Sequence, residues 1–260
     1  MKEHGVDENW WMSIFDAMYL KTDARSVCDD HLTCQEVDFL EKCLGMRRNW
    51  RIVDLCGGQG RHALELARRG FPYIVVFDYS NYLLSVGKGH AVKETLPTSF
   101  IRGDARHMGL REGSFDLIMI MGSSFGYFVH EQENNKILSE SFRLLRPEGI
   151  ILLDLPDRSY VVENFKAHIS HRVNDQLAVI RERRLEKDVI YCRERVLDES
   201  GHCLRDNRYC TRLYSQDHIR DVLEQTGFQK IRFQTDFMPR QEKGEFGCMT
   251  NRMVVMAKKV

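Results

Sequence analysis

Residues 51–60, RIVDLCGGQG, decide the fold of this 260-residue chain. The stretch begins as a short run with β-branched residues and ends in an acid and the glycines Gly57, Gly58 and Gly60. The helical pattern RHALELARRG follows at once, so the sequence predicts a strand, a tight turn and a helix. Glycines let a ligand approach bare backbone, and a helix N-terminus offers unpaired N–H groups to an anion. We therefore expect a small, partly anionic ligand to lie across this turn.

Three acidic residues narrow the choice of ligand. The glycine loop alone also satisfies the relaxed pattern G-x-G-x-x-A of NAD sites. Asp54 lies at the mouth of the loop, where its charge would repel a pyrophosphate but suit the ammonium group of a methionine moiety. Asp78 ends the next predicted strand, where a carboxylate can accept both ribose hydroxyls in either cofactor. Asp104 follows a third predicted strand, where it can accept from an adenine amino group, so Asp54 and Asp104 disfavour NAD.

Loop and acids together resemble a class I S-adenosylmethionine-dependent methyltransferase, and the resemblance runs from about Tyr19 to the C-terminus. VDLCGGQGRHALELARRGF is similar to the family's first motif, VVFDYS to its second, and GDARHM to its adenine-binding segment. FDLIMIMGSSFGYF resembles the fourth strand and substrate-side loop, and FRLLRPEGIILLDLPDR the helix, turn and fifth strand that follow. The FGYF segment resembles the small-molecule branch of the family.

The resemblance implies an α/β fold with a Rossmann-like sheet of seven strands, the last one antiparallel. It also implies S-adenosylmethionine as cofactor and S-adenosylhomocysteine as product. The residues it assigns to cofactor binding are Tyr19, Asp54, Gly57, Gly58, Gly60, Arg61, Asp78, Tyr79, Asp104, Ala105, Met121 and Gly122.

Composition excludes several classes of function. Lys plus Arg and Asp plus Glu are both 38, so the net charge is zero, whereas binding to duplex nucleic acid normally leaves a basic footprint. No apolar run approaches the roughly 20 residues that span a bilayer, and the start MKEHGVDENWW does not resemble a signal peptide. We expect a cytoplasmic protein without membrane or duplex nucleic-acid partners. The eight cysteines show no C-x-x-C or zinc-like spacing, so we expect free thiols and no metal.

The alternation of strands and helices predicts four parts of the chain. Residues 1–50 form an N-terminal helical segment over the cofactor site, and residues 51–156 form the cofactor-binding α/β core. Period-two stretches within residues 157–214 predict an antiparallel β insertion after the fifth strand, near the acceptor site. Residues 215–260 supply a helix and two strands that complete the core.

The predicted insertion is rich in arginine. Its arginines alternate with glutamates, which is typical of a solvated face; they are Arg181, Arg183, Arg184, Arg193, Arg195, Arg205, Arg208 and Arg212. Two alternatives stay open, namely that a subset lines an anion-binding mouth, or that the insertion forms a homodimer contact.

Helix boundaries follow from caps and periodicity. The aromatic residues within 1–20 have spacings that suit one side of a helix. Residues 30–43 form an amphipathic pattern with Thr33 as candidate N-cap and Glu36 as its capping-box partner. The pattern over residues 131–146 predicts a helix that ends before a buried strand at 150–153.

Methyl transfer from a sulfonium is an in-line displacement, so the protein mainly has to align the reacting groups and exclude water. The loop after the fourth strand should lie beside the methyl group, and it lacks the Asn/Asp-Pro-Pro-aromatic tetrad of enzymes acting on amide or exocyclic nucleobase nitrogen. His130 is the candidate base, because imidazole titrates near neutrality, and Tyr127 is a candidate for orienting the acceptor. His62 is expected to pack or to contact the cofactor. The candidate acceptor-binding residues are Ser124, Phe125, Tyr160, Arg212 and Tyr214.

The leading hypothesis is therefore methyl transfer to nitrogen or oxygen of a small molecule. Two alternatives are a methyltransferase acting on RNA or protein, and a cofactor-binding protein without turnover. A basic stripe reaching the site would favour the first alternative, and a blocked methyl position or a missing acceptor cavity would favour the second.

Overall fold

This computed structural model describes residues 3–237 and 251–260. The described residues contain eleven strands and eight α-helices. The strands are β1 (Arg51–Leu55), β2 (Tyr73–Asp78), β3 (Thr98–Arg102), β4 (Phe115–Ile120), β5 (Leu145–Pro156), β6 (His168–Arg172), β7 (Leu177–Glu186), β8 (Val189–Asp198), β9 (Cys203–Arg212), β10 (Phe228–Phe237) and β11 (Arg252–Lys259). The helices are α1 (Ala17–Thr22), α2 (Ala24–Val27), α3 (Asp30–Leu44), α4 (Arg61–Arg68), α5 (Asn81–Glu94), α6 (Glu131–Leu144), α7 (Arg158–Glu163) and α8 (Gln216–Thr226).

Seven strands form the central sheet in the order β10-β11-β5-β4-β1-β2-β3. Strand β11 is antiparallel to both of its neighbours, while β1 to β5 pair in parallel. The strand order reverses at β1, which lies between β2 and β4, and a crevice for a ligand opens beyond the carboxyl ends of strands at such a point. The predicted Rossmann-like sheet is confirmed.

The two faces of the central sheet bury different residues of the same strand. Val53 and Leu55 pack in a cluster with residues of α6 and α8, whereas Ile52 packs in a cluster with residues of α3 and α4. Successive side chains of a strand point to opposite faces, so Asp54 shares the face of Ile52. The carboxylate at the end of β1 is thereby directed toward the helix that follows the glycine loop.

The insertion is a separate four-stranded antiparallel sheet in the order β6-β7-β8-β9. It lies in the chain between β5 and α8, as the period-two stretches predicted. The limits of the four predicted parts of the chain stay a prediction.

Three predictions about helices are wrong. The N-terminal segment is not one helix but two short 3-10 turns followed by the six-residue α1. Asp29, rather than Thr33, caps α3 by accepting from the Leu32 amide at 2.9 Å, and Glu36 is drawn inward to buried cations instead of closing a capping box. Helix α6 ends at Leu144, and β5 begins at the next residue.

Seven cysteines are free thiols, as expected, and the eighth, Cys248, lies outside the described residues. Every helix of residues 3–237 and 251–260 is too short or too polar to cross a lipid bilayer.

Candidate active site

A cavity of about 290 Å³ opens beyond the carboxyl ends of β1, β2 and β4. Three segments wall it: the glycine loop with its neighbouring strand ends, the aromatic N-terminal segment, and one face of the insertion sheet. The crevice that the strand order predicts is therefore covered by the N-terminal segment on one side and by the insertion sheet on the other.

Close packing explains why the loop after β1 carries glycines. A Cβ on Gly57 would lie 2.7 Å from Cγ of Asp54, and Gly58 has a left-handed φ of 59°. The amide of Gly58 donates to Oδ2 of Asp78 at 2.8 Å, which joins the loop to the end of β2. Gly60 caps α4 with φ 72°, and a Cβ there would lie 2.7 Å from Val76. Gly60 therefore serves packing and does not line the cavity.

Asp54 is fully buried and lines the cavity, and neither of its carboxylate oxygens makes a hydrogen bond of good geometry among the described residues. Burial raises its pKa to about 7, although the backbone amide of Ala63 and the guanidinium of Arg61 act in the opposite direction. A buried carboxylate without a partner is costly, and a cationic ligand group would remove that cost. The position therefore fits the ammonium group of S-adenosylmethionine.

The other two acids are already hydrogen-bonded. Besides the Gly58 amide, Asp78 accepts from the Ser80 amide at 2.8 Å, and burial raises its pKa. Asp104 pairs with the neighbouring Arg106, whose guanidinium lies 2.7 Å away. Burial alone would raise the pKa of Asp104, but hydrogen bonds from Arg106 outweigh it and lower the pKa. Asp78 and Asp104 are therefore held in fixed orientations at the edge of the cavity.

A buried ion network, absent from the sequence predictions, lies behind the cavity. Arg252 is fully buried and joins Asp154 at 2.8 Å to Glu36 at 2.5 Å. Glu36 also pairs with Arg61 and, at 2.8 Å, with His62. Burial lowers the pKa of His62 to about 4, so its imidazole is neutral at physiological pH.

This network reaches the loop after β4. The Gly122 amide donates to Oδ2 of Asp154 at 2.8 Å, and both Gly122 and Ser123 have left-handed φ values, 66° and 59°. A non-glycine residue in that conformation is strained and needs its surroundings to hold it. The side chain of Ser123 is buried, lines the cavity and leaves its hydroxyl without a partner among the described residues.

Aromatic rings of the N-terminal segment form one wall. Trp10 lies 5.1 Å from the ring of Tyr127 and 5.6 Å from that of Tyr209, and its indole donates to the Tyr127 carbonyl. Phe15 stacks on Tyr127 at 5.7 Å and meets Tyr19 edge-on at 5.1 Å. Burial raises the pKa of Tyr127, so its phenol stays protonated at neutral pH and can orient a ligand by a hydrogen bond.

The insertion supplies the opposite wall through alternating residues of β7, β8 and β9. Pairing places Arg181 opposite Glu194, and Arg183 opposite Cys192, on the face that lines the cavity. Only 2% of Glu194 is exposed, and two guanidiniums neutralise it, those of Arg181 and Arg205. Burial would raise the pKa of Glu194, but the two guanidiniums outweigh it and lower the pKa.

Most of the predicted site residues come together around this cavity. Those that line it are Tyr19, Asp54, Gly57, Gly58, Arg61, Asp78, Tyr79, Asp104, Ala105, Met121, Gly122, Ser124 and Tyr127. Sequence reasoning missed other lining residues, among them Trp11, Cys56, Ser123, Glu194 and Tyr209. The period-two pattern of the insertion carried the signal for Glu194 and Tyr209, but it does not say which face meets the cavity.

Five predicted site residues other than Gly60 lie away from the cavity lining. Phe125 and Tyr214 are buried in the core beside α8, with their rings 5.4 Å apart. Arg212 turns to the backbone, donating to the Val129 carbonyl, and Tyr160 belongs to α7. His130 is exposed at the N-terminus of α6, so the structure does not bring its imidazole to the cavity.

Comparison with known proteins finds methyltransferases at the level of family, sequence and structure. A family model described as a methyltransferase domain matches residues 52–149. The chain is 26% identical over 205 residues to the glycine/sarcosine N-methyltransferase of Halorhodospira halochloris, covering 78% of this chain and 74% of that protein.

Solved structures share the fold. An S-adenosylmethionine-dependent methyltransferase from Clostridium acetobutylicum superposes with a TM-score of 0.72 at 18% identity, over 93% of this chain and 96% of that one. CalS10, an amino pentose methyltransferase of Micromonospora echinaspora solved with S-adenosylmethionine bound, gives a TM-score of 0.65 at 15% identity, over 88% of this chain and 90% of that one.

Proposed function

Because the chain is a class I S-adenosylmethionine-dependent methyltransferase, we propose that it methylates a nitrogen or oxygen atom of a small-molecule acceptor. The observation that carries this proposal is that the glycine loop and the insertion sheet line one and the same cavity. Its aromatic and arginine-bearing walls surround a space on the scale of a small ligand, and sites of this kind suit small molecules.

We propose cofactor-side roles for the residues that the sequence predicts and that line the cavity. Asp54, whose buried carboxylate makes no hydrogen bond of good geometry among the described residues, would take the ammonium group of the methionine moiety. Asp78 would accept from the ribose hydroxyls, and Asp104 with Ala105 would lie at the adenine. Tyr19 and Arg61 would close the methionine end, and Tyr79, Met121 and Gly122 would complete the lining.

When bound, the cofactor supplies an electrophilic methyl on a sulfonium. The chain itself aligns the acceptor and excludes water, and both tasks fall to the walls described above. A neutral amine attacks without a base, and the ammonium formed can lose its proton to solvent afterward. Tyr127 and Ser124 would orient the acceptor by hydrogen bonds, because the phenol of Tyr127 stays protonated.

Nitrogen is the better-supported acceptor atom. Positive charge develops on an amine as it takes the methyl, and the cavity is lined by Trp10, Phe15 and Tyr127, whose aromatic rings can attract a cation. The match to a glycine/sarcosine N-methyltransferase over most of the chain points the same way.

Arg183 would hold an anionic group of the acceptor. Arg183 lines the cavity and its guanidinium donates to the Lys166 carbonyl at 2.6 and 2.9 Å, whereas Arg181 and Arg205 are paired with carboxylates. The guanidinium of Arg183 could therefore form an ion pair with a carboxylate or phosphate of the acceptor.

The test is acceptor-dependent release of S-adenosylhomocysteine from a panel of small amines, alcohols and phenols, quantified by mass spectrometry. We expect turnover with amines, and higher kcat/KM for amines that carry a carboxylate or phosphate than for the matched neutral amines. Turnover of RNA or protein with none of the small molecules would contradict the proposal.

Arg183→Met tests the anionic arm, with Arg184→Met as control. We expect Arg183→Met to raise the KM of the anionic acceptor about 10-fold with kcat unchanged, because it removes binding that is equal in ground and transition states. Arg184 is 71% exposed and pairs with Glu186, so its loss should change neither constant. Equal KM values in both variants would remove the assignment of Arg183 and leave the methyl-transfer proposal standing.

A further inference from the structure

Helix α1 is held over the cavity at both of its ends. It has only six residues, and a helix this short is not stable without tertiary contacts. It carries Tyr19, which lines the cavity. The contacts that fix α1 therefore decide whether this wall of the cavity is closed.

Two arginines of the insertion reach the two helix ends. At the first end, Arg205 pairs with Asp16 at 3.0 Å, and Asp16 caps α1 by accepting from the amides of Met18 and Tyr19. At the other end, Arg181 pairs with Asp23 at 3.0 Å, directly after the last helical residue.

One buried carboxylate joins the two arginines. Oε2 of Glu194 accepts from Arg181 at 2.7 Å, and Oε1 accepts from Arg205 at 2.8 Å. Arg181 and Arg205 are mostly buried themselves, with 14% and 10% of their side chains exposed. Ion pairs shielded from water in this way are weakened little by salt, in contrast to surface pairs.

We propose that Asp16, Asp23, Arg181, Glu194 and Arg205 form a clamp that holds α1 closed over the cavity, with Glu194 as its positioning residue. The clamp thereby sets how fast a ligand beneath α1 leaves. Because Arg181, Glu194 and Arg205 also line the cavity, an acceptor in that half contacts the groups that hold α1. Two further contacts reach this segment: the Ser80 hydroxyl donates to the Phe15 carbonyl at 2.6 Å ahead of the helix, and the His171 imidazole lies 3.5 Å from the Thr22 carbonyl at its far end. Neither contact is an ion pair with a carboxylate of the helix ends, so both should persist in variants that remove only the clamp.

The test uses the full chain and the variants Asp16→Asn, Asp23→Asn and their combination. Asparagine caps a helix about as well as aspartate, so these changes remove the ion pairs while keeping the cap. We expect faster hydrogen exchange at the amides of residues 18–23 in the ligand-free protein. The double variant should also release S-adenosylhomocysteine about 10-fold faster in stopped-flow measurements, which corresponds to a loss of about 1.4 kcal/mol.

Glu182→Gln is the matched control. Glu182 lies on the opposite face of β7 and pairs with Arg195 at 2.9 Å, so it should change neither measurement. Asp16 and Asp23 are partly exposed, and folding of the variants is checked by unchanged exchange in β7 and β8. Wild-type exchange in residues 18–23 and wild-type release from the double variant would overturn the clamp. If S-adenosylhomocysteine does not bind the wild type, the proposed function fails, whereas the exchange measurement still tests the clamp.

Discussion

The two halves of the cavity each contain a buried carboxylate, and the two carboxylates are in opposite states. On the cofactor side, Asp54 makes no hydrogen bond of good geometry among the described residues, and burial raises its pKa to about 7 against the weaker influence of the Ala63 amide and the Arg61 guanidinium. On the insertion side, Glu194 lies between two guanidiniums, which lower its pKa. Burial is nearly the same in both cases, so the partners account for the difference.

The difference separates a binding group from a structural one. A paired buried charge is costly to break, whereas an unpaired one is costly to keep. Glu194 should therefore contribute to the stability of the ligand-free protein. Asp54 should lower that stability and contribute to ligand affinity.

The largest expected effect is the loss of cofactor affinity in Asp54→Asn. The amide keeps the shape of the side chain but cannot neutralise an ammonium group, so the Kd for S-adenosylmethionine should rise about 100-fold or more in calorimetric titration. The variant should melt at or above the wild-type temperature, because a buried charge without a partner is gone.

Asp116→Asn is the control for that comparison. Asp116 is also buried in the central sheet, but it lies at the start of β4, where it accepts from the Arg51 amide at 2.8 Å. Its substitution should leave the affinity unchanged. If Asp54→Asn binds as tightly as the wild type, the two carboxylates do not differ in the way described.

The next effect is the loss of stability in Glu194→Gln. Removing the carboxylate leaves Arg181 and Arg205 buried without their shared partner, so the free energy of unfolding should fall by about 3 kcal/mol. Urea unfolding measures the change. Glu182→Gln on the other face should cost less than about 1 kcal/mol, as exposed pairs do, and an equal loss in both variants would contradict the structural role of Glu194.

Sequence reasoning reached the cofactor half because local rules dictate it. The sequence itself shows the glycines of the loop, which adopt left-handed φ angles, the acids at strand ends, and the alternation of strands and helices. Together these features place Asp54 and Asp78 at the same crevice. The period-two stretches predicted the antiparallel insertion for the same reason, whereas the seven-stranded sheet was implied by the resemblance to a known family.

The remaining features depend on contacts between distant positions. Arg252 meets Glu36 across 216 residues, and Arg181 meets Asp23 across 158. No periodicity connects such positions, so the capping-box interpretation of Glu36 and the solvated-face interpretation of Arg181 both missed burial. The prediction of one N-terminal helix was wrong, and here too distant contacts matter, because Trp10 packs on Tyr127 and Tyr209.

The smallest expected effect is that of His130→Ala. Its imidazole is exposed and does not line the cavity, so kcat and KM should both stay within about twofold of the wild-type values. Steady-state kinetics with the best amine of the panel measures this. A loss of kcat of about 10-fold or more with unchanged folding would show that His130 reaches the acceptor.

Proton release on cofactor binding tests the unpaired state of Asp54 most directly. In the ligand-free protein a pKa of about 7 keeps Asp54 mostly protonated at pH 6, and an ammonium group beside it would lower that pKa. Titration of S-adenosylmethionine at pH 6, in two buffers of different ionisation enthalpy, gives the number of protons exchanged. We predict release of about one proton, tighter binding as the pH rises toward 7, and no such release in Asp54→Asn. Binding without proton release in the wild type would show that Asp54 is already ionised or does not meet the ammonium group, and would contradict the account.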